Sequence, residues 1–191
     1  LAKKHLDAGE MELAEKTFRR AAAEASSRDD LQLHYHCVDA LKGLAIQRED
    51  IHGALRWLKK ILSLHREVGD AKGQISACLQ IADLLFLRED INEAMTWATK
   101  ALHLAEAEWS RTQMAEALHL IGLLSIKVDI FEDAVTALRR AQDIWEERRD
   151  ENGYYDSTFH LGLALHLQGD LSSAAREYRN CLKFLSDDEM E

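Results

Sequence analysis

Alanine recurs at one fixed spacing along this chain: Ala14, Ala54, Ala94, Ala134 and Ala174 lie forty residues apart. The residue three positions before each alanine is always apolar, which places it on the same face of a helix. A unit that returns at such a period is typical of a repeat array, in which each unit buries its apolar face against its neighbours. The chain is therefore predicted to be a stack of similar units.

The residue types within each unit favour helix. The chain contains no proline, which would break helix interiors. Apolar residues recur at helical spacing, for example at Leu55, Leu58, Ile61 and Leu62. Each unit is predicted to be two helices joined by a short turn.

Residues that commonly cap helix N-termini mark the predicted helix starts. First helices are predicted to start at Asp30, Asp70, Ser110 and Asp150, and second helices at Asp50, Asp90 and Asp170. Asp90 and Glu93 have the spacing of a capping box, and in the fourth unit the predicted cap moves by one residue, to Asp129 with Glu132.

These boundaries predict a single repeat domain over residues 1–191. It comprises a partial repeat (1–29), four repeats (30–69, 70–109, 110–149 and 150–185) and an acidic, solvated tail (186–191). The sequence starts at Leu1 in the middle of the pattern, so we expect it to be a piece of a longer protein.

Small and large residues alternate at fixed offsets in a way that resembles the tetratricopeptide repeat (TPR). The last unit carries the pattern most fully, at Leu161, Gly162, Leu165, Gly169, Leu171, Ala174, Tyr178 and Cys181. The period is 40 rather than about 34 residues, and the usual proline is absent. We expect the extra residues to lengthen the helices and the links between units. Long repeats of this kind resemble those of kinesin light chains, Pins-type polarity adaptors and bacterial peptide-sensing regulators.

The resemblance implies an all-α, right-handed superhelical solenoid of antiparallel helix pairs, whose first helices line a concave groove that binds a peptide. Carried over by repeat offset, the partner-binding residues would be His36, Asp39, Gln47, Leu79, Asp83, Phe86, Glu116, His119, Lys127, Asp156, Phe159 and His166, with apolar Ile46, Leu87, Leu123, Ile126, Leu163 and Leu167 beside them. Such a groove suits a partner protein or peptide that is apolar with some basic residues. The alternative is that the apolar side chains are buried within their own helix pairs.

The same offsets argue against one use of the family. Members that bind chaperones clamp a terminal carboxylate with Lys, Asn and Arg, whereas Asp39, Gly43 and Asp83 stand at such positions here. We therefore expect no carboxylate clamp.

Catalysis and metal binding receive little support from the sequence. Histidines and carboxylates lie one helical turn apart in three pairs, His36 with Asp39, Glu116 with His119, and Asp156 with His160. Such pairs are common on acidic helices, and neither a convincing third ligand nor a glycine-rich phosphate loop accompanies them. We expect a protein that is not an enzyme and that has no cofactor or metal.

Net charge and cysteine content limit the classes of partner and the cellular compartment that the sequence supports. The formal net charge of −10 argues against nucleic acid and against an anionic membrane surface. No apolar run approaches the roughly 20 residues of a membrane span. The three cysteines form no C-x-x-C pair, so a reducing, cytoplasmic location is expected.

Three tryptophans are candidate ligand or contact residues. Trp57 and Trp97 lie forty residues apart in second helices, which favours a repeated packing role over a ligand cage. Trp109 lies near a predicted turn, where an exposed indole would mark a contact.

The leading functional hypothesis is a non-enzymatic scaffold or adaptor that holds a partner segment in its groove. Two alternatives stay open: an assembly or self-association module that acts through uncapped terminal repeats, and the ligand-sensing part of a larger regulator.

Overall fold

The computed structural model describes residues 2–7 and 9–188. Contacts within the chain form two compact units, residues 1–84 and residues 85–191, and each is described by itself. Residues 186–188 of the predicted acidic tail lie in the last helix, and residues 189–191 are outside the described part, as are Leu1 and Ala8.

The described residues form helices throughout, connected by short turns. Unit 1 contains α1 (Ala2–Asp7), α2 (Met11–Ser27), α3 (Leu31–Gln47), α4 (Ile51–Glu67) and most of α5 (Ala71–Leu87). Unit 2 contains the end of α5 and α6 (Ile91–Ala107), α7 (Arg111–Lys127), α8 (Phe131–Arg148), α9 (Glu151–Gln168) and α10 (Leu171–Asp188). In unit 1, α1 to α4 pack on one another in chain order; in unit 2, α6 to α10 do so, and α7 also contacts α9. The predicted all-α fold of helix pairs is confirmed.

The turns between these helices share one geometry. A residue with positive φ lies at every twentieth position, at Gly9, Asp29, Glu49, Gly69, Glu89, Trp109, Asp129, Arg149 and Gly169. The next residue donates its backbone N–H to a carbonyl five residues earlier, as Asp50 does to Ala45 at 2.9 Å. This is the main hydrogen bond of the Schellman motif, and it ends each helix and reverses the chain.

Most predicted helix starts are confirmed. The carboxylates of Asp30, Asp50, Asp70, Asp150 and Asp170 accept backbone N–H groups three residues ahead, at 2.9–3.1 Å.

Asp90 is the N-cap of α6 as predicted, but the predicted capping box at Asp90 and the predicted cap at Asp129 are wrong. Asp90 makes no side-chain cap bond, because its carboxylate pairs with Arg88, so the predicted box with Glu93 does not form. In repeat 110–149 the N-cap of α8 is Ile130 rather than Asp129, because Asp129 takes the left-handed position of the turn.

The five alanines of the repeat are all buried, as their spacing predicts. Close approach of helices also explains two glycines: a Cβ at Gly122 would lie 2.4 Å from Cγ of Leu138, and one at Gly162 would lie 2.8 Å from the ring of Tyr178. Helices α2 to α10 have 17 or 18 residues, while the turns after α2 to α7 have three. The long period therefore lengthens the helices and not the links.

Replacing Glu49 with glycine should stabilise the protein. Glu49 is exposed and has φ 57°, a conformation that costs L-residues about 1–2 kcal/mol and costs glycine nothing in steric terms. After subtracting the greater flexibility of glycine in the unfolded chain, we expect Glu49→Gly to raise the free energy of unfolding by about 0.5–1 kcal/mol. Urea denaturation measures this, with Glu49→Ala as the control that keeps the strain. Equal stability of the two variants would contradict the prediction.

Replacing Gly122 with alanine should destabilise the protein, whereas replacing Gly43 with alanine should stabilise it. The buried Leu138 leaves no room at Gly122, so Gly122→Ala should lower the free energy of unfolding by about 1–3 kcal/mol. Gly43 lies within α3 with nothing within 4 Å of its added Cβ, so Gly43→Ala should raise it by about 0.5–1 kcal/mol. Chemical denaturation of both variants measures the difference. A stabilised Gly122→Ala variant would show that this helix contact can relax.

Candidate functional site on the first helices

In unit 2 the first helices α7 and α9 lie side by side, and a polar contact joins them. The imidazole of His119 and the hydroxyl of Ser157 form a hydrogen bond of 3.0 Å between Nδ1 and Oγ. The rings of His119 and His160 meet edge to face, with centroids 5.1 Å apart. These three side chains fix the register between the two helices.

His119 is held neutral at physiological pH. Burial first, and charge repulsion from His160 second, lower the pKa of His119 to about 4, while the Asp156 carboxylate opposes the shift. A neutral imidazole keeps one N–H and one acceptor nitrogen, which suits a hydrogen bond with a hydroxyl. His119 is therefore a structural contact between helices at neutral pH.

Phe159 is the large apolar side chain that this face exposes beside the histidines. It is 43 % exposed, and its ring lies 5.2 Å from that of His160 and 6.1 Å from that of Tyr178. Ring contacts on both sides restrict its rotamers, so less entropy would be lost on binding. Phe159 is thus a pre-positioned aromatic anchor.

Polar side chains surround this anchor. Glu116, Asp156 and His166 are exposed, and Lys127 pairs with Glu89 at 3.8 Å. Leu167 is exposed, whereas Leu123, Ile126 and Leu163 are partly buried. The structure therefore places most predicted residues of α7 and α9 at the surface.

Phe86 and Leu87, at the end of α5, also belong to unit 2. Phe86 is partly buried, and Leu87 is exposed. No contact of either with the α7–α9 face is described.

The predicted residues of α3 in unit 1 are mostly engaged by their own helix. His36 hydrogen bonds through Nδ1 to the carbonyl of Gln32, and Asp39 pairs with Lys42 at 2.7 Å. Gln47 and the neighbouring Ile46 are exposed.

The two predicted residues of α5 in unit 1 differ. Leu79 is only 7 % exposed, which leaves little of its side chain for a partner. Asp83 is exposed, and partial desolvation raises the pKa of its carboxyl, an effect that its exposure to water limits.

Sequence reasoning missed Ser157 and the role of His160. His160 was considered only as a partner of the Asp156 carboxylate, but its Nδ1 hydrogen bonds to the Asp156 backbone carbonyl at 2.8 Å. The sequence carries no signal for Ser157, because a small hydroxyl on a helix has no preferred tertiary partner. A repeat offset aligns His119 with Phe159 but says nothing about the residues between the helices.

The described residues also bear on metal binding, on membrane insertion and on the predicted roles of the tryptophans. Among the described residues, no group of three or more His, Cys, Asp or Glu side chains is arranged to hold a metal ion. Within that part of the chain no helix is long and apolar enough to cross a membrane. Trp109 is 86 % exposed at its turn, whereas Trp57 and Trp97 are partly buried.

Acidification should destabilise the protein partly through His119. The ordinary histidine pKa is 6.5, so between pH 6.5 and about 4 the unfolded chain binds a proton at this site that the folded chain excludes. Stability from this group is present above that window and is lost as the pH falls through it. Between roughly pH 7 and pH 5, we expect the free energy of unfolding of the wild type to fall by about 1–2 kcal/mol more than that of His119→Gln.

Urea denaturation at the two pH values measures this difference. Leu123→Ala, a non-titrating change on the same helix, is the control and should shift stability equally at both. An unchanged pH dependence in His119→Gln would contradict the assignment.

Comparisons with known proteins give a consistent fold. No protein-family model matches the sequence, and no curated protein matches it. Among solved structures, BtubC (BKLC) from P. vanneervenii is 16 % identical with a TM-score of 0.82, over 99 % of this chain and 78 % of that one. The STAND protein PH0952 from Pyrococcus horikoshii, which has a tetratricopeptide repeat sensor, is 14 % identical with a TM-score of 0.85, over 97 % and 29 %.

A Rap protein solved in complex with competence and sporulation factor is 15 % identical with a TM-score of 0.72, over 98 % of this chain and 53 % of that one. The chain thus spans about half or less of the length of the last two proteins. At these identities the likeness establishes architecture and not activity. The chain has the TPR-like repeat fold that its sequence predicts.

Proposed function

We propose that the chain is a non-enzymatic protein-interaction scaffold that binds a segment of a partner protein on its first helices. The observation that carries the proposal is Phe159, an exposed aromatic ring held by His160 and Tyr178. Rigid aromatic anchors of this kind supply much of the binding energy at protein interfaces. A Rap protein of the same fold, solved with a bound factor, supports a role in binding other molecules.

The surroundings of Phe159 suggest the chemistry of the partner. Glu116 and Asp156 supply negative charge on neighbouring helices, and Leu167 adds exposed apolar surface. An apolar segment with some lysine or arginine would bury its side chains on this surface and complement its charge. His36, Asp39, Gln47 and Asp83 of unit 1, and Phe86 of unit 2, are proposed as further contacts of the same kind.

The burial of Ser157 argues against an enzymatic role for the His119–Ser157 pair. A nucleophilic serine must reach its substrate, but Ser157 is 0 % exposed. The hydrogen bond between these residues is better explained as a contact that holds α7 against α9. This pair therefore supports the scaffold role.

Phe159→Asp should abolish partner binding. A peptide library selected on the wild-type protein should yield apolar sequences enriched in Lys and Arg, and the peptide with the highest affinity can then be titrated calorimetrically. We expect Phe159→Asp to weaken this peptide by at least about 30-fold, or 2 kcal/mol, because a buried aromatic anchor becomes a charge.

Leu182→Asp is the matched control, since Leu182 is also an exposed large apolar residue but lies on a second helix, α10. Both variants must keep wild-type helicity. Equal affinity of all three proteins would show that the first helices are not the binding surface.

A ligand-sensing role within a larger regulator is the second candidate. It is supported by PH0952, whose tetratricopeptide repeats are described as a sensor, and by the 29 % of that protein that this chain spans. An effector domain in the same gene product would favour it.

Self-association through the terminal repeats stays a prediction, and light scattering over a concentration series tests it. A cytoplasmic location is proposed from the free cysteines Cys37, Cys78 and Cys181.

A further inference from the structure

An open cleft of about 690 Å³ lies between α2, α3 and α4 of unit 1. Short side chains of α2, including Ala22, Ala23 and Ser26, line one side of it. Trp57 and basic residues of α4 line another side, and His34 and Val38 of α3 complete it. None of these residues belongs to the surface proposed above to bind an apolar, basic segment.

The charge of this cleft is opposite to that of the chain. The whole sequence has 34 acidic and 24 basic residues, yet Arg19, Arg56, Lys59 and Lys60 line the cleft and no carboxylate does. Local charge of one sign in a concave site concentrates ligands of the other sign. The cleft is therefore a positive site on an acidic protein.

Two arginines of the cleft are ordered by Trp57. The guanidinium carbon of Arg56 lies 5.0 Å from the centre of the indole, and that of Arg19, from α2, lies 5.4 Å from it. Cation–π contacts at these distances hold a guanidinium in place without neutralising it. Its fork of N–H donors matches a carboxylate.

The Glu15 carboxylate only partly offsets this charge. Glu15 contacts Arg19 through one oxygen and Arg48 through the other, each at 2.6 Å, so two cations share one anion. Asp29, Asp30 and Glu67 line a smaller neighbouring pocket, which His34 and Lys60 also border. Arg56 therefore lies on the side of the cleft away from that pocket, and Lys60 lies between the two.

The pKa of His34, which lines the cleft, responds to the charge beside it. His34 is 6 % exposed, and its pKa is lowered by burial first and by the positive charge of Lys60 second, while Glu67 acts in the opposite direction. The ammonium of Lys60 therefore acts electrostatically on this imidazole. An anion bound in the cleft would offset that effect.

We propose that this cleft binds an acidic peptide segment of a partner protein, with carboxylates on Arg56 and Lys60 and side-chain packing on Trp57. The short residues of α2 leave space for the peptide backbone. The acidic surface elsewhere on the chain repels a long polyanion such as nucleic acid more than a short acidic segment.

The test is fluorescence anisotropy with a labelled hexaglutamate peptide as the probe and hexalysine as its charge-reversed counterpart. The wild-type protein should bind hexaglutamate, and the double variant Arg56→Glu, Lys60→Glu should bind it at least about tenfold more weakly. The control is Lys16→Glu, Arg66→Glu, which makes the same change in net charge on α2 and α4 at residues outside the cleft. All three proteins should have equal helicity by circular dichroism.

Three outcomes would overturn the proposal: no binding of hexaglutamate by the wild type, equal loss in the cleft and control variants, or tighter binding of a single-stranded oligonucleotide than of hexaglutamate. The histidine NMR resonance of His34 gives a second readout. Bound hexaglutamate should raise the pKa of His34, because an anion beside the imidazole favours its protonated form. An unchanged His34 titration at saturating peptide would place the peptide elsewhere.

Discussion

One backbone hydrogen bond controls the architecture, namely the bond from each turn to the carbonyl five residues earlier. It closes the turn after α2 from Asp30 to Ala25, the turn after α3 from Asp50 to Ala45, and each later turn of the described chain in the same way. Because the bond requires one left-handed residue at a fixed place, each helix from α1 to α9 ends in the same geometry. Residues twenty positions apart thus occupy equivalent places on successive helices.

This constraint explains why small residues must recur. When each helix reverses at the same angle, the same point on every second helix meets its neighbour, and that point is where Ala54 and Ala134 are buried. Where the neighbour carries a larger side chain, the facing position shrinks further, as at Gly122 opposite Leu138 and at Gly153, where a Cβ would lie 2.5 Å from the ring of Trp145. Volume is conserved across each contact, as expected for a close-packed interior.

Much of the fold could be predicted from the sequence, because the alanine spacing repeats with the helix contacts and the aspartate caps act locally. The turn geometry could not be predicted from residue chemistry alone: glycine takes the left-handed position at Gly69 and Gly169, but Glu49 and Arg149 take it elsewhere. At Asp129 the chemistry of a good cap pointed to the wrong residue. The twenty-residue period places the left-handed residue correctly in each of these turns. The periodic packing of the helices therefore overrides the local preference of the residues here.

The site was less predictable, since an offset fixes a place on a helix but not its exposure. Leu79, His119 and Phe159 share one offset, yet Leu79 is buried, His119 is bonded to Ser157 and Phe159 is exposed. The identities of the facing residues decide these outcomes, and they lie on other helices.

The same frame lets one chain carry surfaces of opposite charge. Carboxylates such as Glu116 and Asp156 lie on first helices, whereas Arg56 and Lys60 lie on the second helix α4. A helix in a solenoid contributes different faces to the core and to solvent, so its exposed residues can change sign without altering the packing of its buried stripe. Because added salt screens exposed charge of either sign, affinity at both surfaces should fall with ionic strength. Lowering the pH should distinguish the two surfaces. A protein made more positive by protonation attracts an acidic segment more strongly and a basic segment less strongly.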